Sequence, residues 1–188
     1  MENKQDILKK LGSNDIEQVV EAIERIKTEG DLSIIPELLD ILLLCKEPVI
    51  ITNITSLLSD IKDSGFKTIL MEKLIQASND SEKSNLLRIC WESAIDFSEY
   101  IDVFLDILLK DDFISALEAS TVIENLSDNL PEEKIKGAIE QIKALPADDD
   151  KAFLFESVLS HLEEMLVSQK EREDDEEEHH HCGCDGHD

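Results

Sequence analysis

Apolar residues recur along this chain at the offsets i, i+3, i+4 and i+7, the spacing of one face of an α-helix. The quartet Val19, Ala22, Ile23 and Ile26 is followed by Ile54, Leu57, Leu58 and Ile61, then by Leu87, Cys90, Trp91 and Ala94. Two more follow, Ala119, Val122, Ile123 and Leu126, and Phe155, Val158, Leu159 and Leu162. A second set interleaves with the first: Ile34, Leu38, Leu42 and Leu43; Phe66, Leu70, Leu74 and Ile75; Tyr100, Phe104, Leu108 and Leu109; and a sparser copy at Ile135, Ile139 and Ile142. Two kinds of amphipathic helix alternating in this way predict helix pairs stacked in series, each pair burying one face against the next. Trp91, Tyr100 and Phe104 fall on these ladders and are expected in the core.

The punctuation between the ladders fits helix ends. Asn14 or Asp15 can cap a helix that Gly30 closes, and Asp31 can cap the next. Pro48 suits a first helical turn, where its missing N–H costs nothing. The helix it opens is expected to run to Lys62 and to close at Asp63-Ser64-Gly65. Ser78-Asn79-Asp80-Ser81 and Asp111-Asp112 mark turns, and Leu130-Pro131-Glu132-Glu133 opens a helix with acids at its positive end. Leu145-Pro146-Ala147-Asp148 precedes a final helix expected to end near Gln169. Such short loops force neighbouring helices antiparallel.

The phrase Ile34-Ile35-Pro36-Glu37-Leu38-Leu39-Asp40-Ile41-Leu42, in which Pro precedes a Leu-Leu pair, resembles the first-helix pattern of HEAT repeats. The resemblance covers residues 14 to 167. It implies an all-α fold, a right-handed α-α superhelix of about five helix pairs in residues 1–169, with an ARM-type arrangement as the alternative. It also implies a scaffold that holds a protein on its concave face. The residues beside the core ladder on the second helices would face that side: Glu24, Ser59, Arg88, Glu92, Glu124 and Ser160.

Charge narrows the choice of partner. The chain carries 44 acidic and 18 basic residues, a formal net charge of −26. Phosphate binding needs clustered Lys and Arg, so nucleic acid and anionic membrane surfaces are poor partners. No apolar run approaches the ~18 residues of a membrane span, and Met1 to Lys10 has no apolar leader segment, so the cytoplasm is the expected compartment. Cys45 and Cys90, in helical segments, read as buried structural thiols. No glycine-rich phosphate loop is present, and His161, beside the core face of the last helix, reads as a partly buried, hydrogen-bonded side chain. A non-enzymatic role that needs no cofactor is expected.

From Glu171 the composition changes. Nine acids and one Arg precede or flank the cluster His179, His180, His181, Cys182, Cys184 and His187. A like-charged run without apolar periodicity is expected to be disordered, so residues 170–188 are set apart as a tail. Imidazole and thiolate together suit zinc or nickel, and Gly183 and Gly186 let the chain turn around one ion. In composition alone the tail resembles the His/Cys-rich tails of metal-handling proteins. A metal-handling accessory role is therefore the alternative to the scaffold.

Overall fold

Most of the inner helices start where the sequence supplies an acceptor or a proline. In the computed structural model, which describes residues 4–13, 15–29, 32–128, 130–145 and 150–180, the helices are α1 (Lys4–Leu11), α2 (Ile16–Glu29), α3 (Ile35–Leu44), α4 (Pro48–Ser59) and α5 (Ser64–Gln76). They continue with α6 (Asp80–Glu92), α7 (Ile101–Lys110), α8 (Phe113–Glu124), α9 (Glu132–Ala144) and α10 (Ala152–His180). The described residues are all-helical, without a strand. The carboxylate of Asp63 accepts the Gly65 N–H, Asn79 accepts from Glu82, and Asp112 accepts from Ser115, each satisfying an amide that the first turn leaves free. Glu82 in turn accepts the Ser78 N–H at 2.8 Å, a reciprocal arrangement close to a capping box. Pro36 and Pro48 stand in first turns, and Pro131 is the N-cap of α9.

The chain divides into two compact units between Asp96 and Phe97. In the first unit α2, α4 and α6 pack side by side, and α3 lies against α4, α5 and α6. This unit thus builds two layers of alternate helices. Its core holds Ile23, Leu38, Leu42, Ile54, Leu58, Phe66, Leu70 and Leu87. In the second unit α7 packs on α8 and α9, and α10 on α8 and α9, again with alternate helices as neighbours. Phe104, Leu108, Ala119, Ile123, Ile135, Val158 and Leu162 fill that core. Burying one such aliphatic or aromatic side chain contributes about 1.5–3 kcal/mol, so these ladders dominate the stability of both units.

Several ladder positions differ from expectation for one geometric reason. A helix turns about 100° per residue, so the neighbour of a core-facing residue lies towards the edge of the buried face, where its burial depends on the helices packed beside it. Leu42, Leu74 and Leu108 are buried, whereas their neighbours Leu43 and Leu109 are half-buried and Ile75 is 64% exposed. Trp91 beside Cys90 and Leu159 beside Val158 are half-buried in the same way, as is Tyr100. Ala94 is exposed because α6 ends at Glu92. Likewise α4 ends at Ser59, and Asp63 caps the following helix instead of closing α4. Cys45 is not buried. It is the half-buried C-cap of α3, its N–H bonded to the Ile41 carbonyl. Cys90 is buried as expected, its thiol donating to the Leu86 carbonyl, and burial pushes its ionisation far upward.

The last helix runs past Gln169 to His180. Glu, Lys and Arg are strong helix formers, which a reading of charge alone overlooks. The Gln169 amide donates to the carbonyls of Asp128 at 2.9 Å and Leu130 at 2.8 Å, and the Arg172 guanidinium donates to the Asp128 carboxylate at 2.8 Å. At the other end of α10 the ammonium of Lys151, a residue only 8% exposed, donates to the carbonyls of Leu108, Leu109 and Asp111 at 3.3, 3.3 and 3.0 Å. The helix is therefore fastened on both sides of its apolar stretch. The proposed caps at Asn14 and Asp31, the closing Gly30 and the turn residues Pro146 to Asp148 lie outside the described residues. Asp15 accepts the Glu17 N–H at 3.0 Å and starts α2.

Candidate functional site

The expected partner-binding residues fall on helices that pack side by side, α2, α4 and α6 in the first unit and α8 and α10 in the second. In the first unit three of the expected partner-binding residues come together. The Arg88 guanidinium donates to Glu92 at 2.7 Å, and the Ser59 hydroxyl donates to the other carboxylate oxygen at 3.5 Å. Arg88 and Glu92 are one helical turn apart, and Ser59 reaches them from the end of α4. The Arg88 side chain remains substantially exposed, so this polar group faces solvent and keeps donors free for a ligand's carbonyl or carboxylate. Glu24 lies exposed on α2, and no bond joins it to the trio among the described residues.

In the second unit the Glu124 carboxylate accepts the Ser157 hydroxyl at 2.6 Å, joining α8 to α10. Ser160, one turn beyond Ser157, is exposed. Ser157 was not among the expected site residues. Its signal was its distance of 33 residues from Glu124, the same separation that links Ser59 to Glu92. Lys27–Asp60 and Asp40–Lys73 repeat that spacing in the first unit, and Asp102–Lys134 spans 32 residues in the second. These polar rungs join alternate helices within each unit. Exposed pairs of this kind contribute about 0–1 kcal/mol each, so they set register more than stability.

The same layer shows a feature that the ladders did not reveal. Phe153 on α10 is 54% exposed, and on α8 Ile114 and Leu117 are 50% and 37% exposed. Their off-ladder positions were the only available signal.

His161 is half-buried, as expected. Its Nε2 is buried without a hydrogen-bond partner among the described residues. No three His, Cys, Asp or Glu side chains of the described residues are placed to hold a metal ion. Of the candidate ligands, His181, Cys182, Cys184 and His187 lie outside the described residues. His179 and His180 belong to the end of α10, with side chains that are not described. No helix among the described residues is long and apolar enough to cross a membrane. No protein-family model, curated protein or solved structure matches the chain significantly.

Proposed function

We propose that each unit is a short stack of HEAT-like helix pairs and that the chain is a non-enzymatic, cytoplasmic scaffold binding a protein partner on its second-helix face. The carrying observation is that second helices lie side by side within each unit, so residues at one offset of successive pairs share a surface. The rungs at 33 residues support the repeat reading, and the Arg88–Glu92–Ser59 group gives that surface directional polar chemistry. In a cell extract, a partner retained by the tagged wild-type chain is identified and its affinity measured. Glu92→Lys, which reverses a charge and strands Arg88, is expected to weaken that complex about tenfold. Arg88→Ala is expected to act in the same direction. Unchanged affinity in both variants sinks the ridge as the binding surface.

A second reading rests on the tail, where six His and Cys residues fall within nine positions. There the chain would take up zinc or nickel through Cys182, Cys184, His187 and one of His179, His180 or His181, with the helical units docking a metalloenzyme. Calorimetry under reducing conditions tests it against a chain ending at Glu178, which keeps the Arg172–Asp128 bond intact. The full chain is expected to bind one ion at sub-micromolar affinity and the shortened chain is not. Equal weak binding by both leaves the tail without a metal role.

A further inference from the structure

The two layers of the second unit differ sharply in charge. Helices α7 and α9 carry four Lys against five acids, and their Lys side chains are engaged: Lys110 with Asp106, Lys134 with Asp102, Lys136 with Glu132 and Lys143 with Glu163. Helix α8 and residues 152–169 of α10 carry five acids and no Lys or Arg. Lys151, just before α10, is buried and directed at the α7 carbonyls.

On this base-free layer Ile114, Leu117 and Phe153 gather at one end, whereas Val167, 56% exposed, stands at the other end of the α10 stretch. Ile114 and Leu117, three residues apart, share a face of α8. Phe153 stands in the first turn of α10, and its ring meets that of Phe113 with centroids 6.0 Å apart, which ties the apolar groups of the two helices together. Along α10 the exposed residues Glu156, Ser157 and Ser160 follow Phe153 at the offsets of a single helix face. The surface is thus an apolar start followed by acids and hydroxyls.

We propose that this α8/α10 face docks a basic amphipathic segment, a helix or peptide whose apolar side chains seat on Phe153, Ile114 and Leu117 while its flanking Lys or Arg side chains meet Glu156 and Glu124. The inference rests on the scaffold reading and names the chemistry of its partner. Charge complementarity selects this occupant. A second copy of the chain would bring another acidic, base-free layer into contact, and an anionic bilayer or nucleic acid would meet the same repulsion. An apolar stripe with cationic flanks offers large side chains for the exposed rings and compensates the acids around them.

The test uses the full chain and a fluorescent peptide of about 18 residues with Leu at i, i+3, i+4 and i+7 and Lys elsewhere, read by anisotropy at roughly 0.15 M salt. Two further peptides serve as controls, one of the same composition in scrambled order and one with Glu in place of Lys. The patterned basic peptide is expected to bind about tenfold more tightly than its scramble, and the Glu peptide is expected not to bind. Phe153→Ser and, independently of packing, Glu156→Lys are each expected to weaken it about fivefold, whereas Ile75→Ser in the first unit leaves it unchanged. Equal binding of the scramble, wild-type affinity in both site variants, or failure of all three peptides to bind overturns the proposal. A Glu peptide that binds best and loses affinity in Phe153→Ser overturns the basic partner while the scaffold reading stands. That reading is judged separately by the Glu92→Lys complex.

Discussion

Lys151→Met is expected to destabilise the second unit by about 2–3 kcal/mol, although it removes no apolar volume from the core. A helix leaves its last carbonyls without intrahelical donors and gathers partial negative charge there. At the end of α7 three carbonyls, those of Leu108, Leu109 and Asp111, receive hydrogen bonds from one buried ammonium. The same ammonium lies 5.9 Å from the centre of the Phe155 ring, whose face favours a cation. Methionine keeps the stem but supplies no donor, so the carbonyls stay desolvated and unmet. Urea unfolding followed by circular dichroism measures the loss. Hydrogen exchange locates it, with faster exchange expected over residues 101–111 and 152–165. A variant within about 0.5 kcal/mol of wild type shows that water replaces the ammonium and that the fastening is dispensable.

Phe104→Ala is expected to cost more, about 3–5 kcal/mol, because the ring is completely buried and its removal combines lost transfer energy with a cavity. Ile75→Ala gives the contrast. Ile75 ends an equivalent ladder on α5 yet stands mostly in solvent, so its truncation is expected to change stability by under about 0.5 kcal/mol. Measured together in urea, the two variants separate periodicity from burial. Comparable losses at both positions contradict the structure, whereas a difference of several kcal/mol is what the packing of α7 requires.

That pair also marks how far the amino-acid pattern reaches. Periodicity identifies the face of a helix because Cβ directions follow the helical turn, and Ile23, Leu38, Ile54, Phe66, Phe104 and Val158 are buried as their ladders require. It does not determine how wide that face is, since width depends on neighbouring helices that a local window does not contain. Ile75, Trp91 and Tyr100 sit at its margin. Helix ends were legible at Pro48 and Asp112, where a side chain or ring supplies the signal, and misplaced at Ser59 and Gln169. The site was legible in part. Arg88 and Glu92 are one turn apart on any helix, and Ser59 lies 33 residues from Glu92. Phe153, Ile114 and Leu117 were not, because an apolar residue in a sequence has the same composition whether it faces the core or solvent.

The uneven charge of the second unit also has a kinetic side. With five acids on each layer and the four lysines confined to α7 and α9, the unit carries an electric dipole as well as a net charge. A cation-rich molecule approaching within about 8–10 Å, the screening distance near physiological salt, exerts a torque that turns the α8/α10 layer towards it before any atoms touch. Added salt would then act mainly on the rate of encounter, while the residence time of the complex would follow the apolar contacts at Phe153 and Leu117.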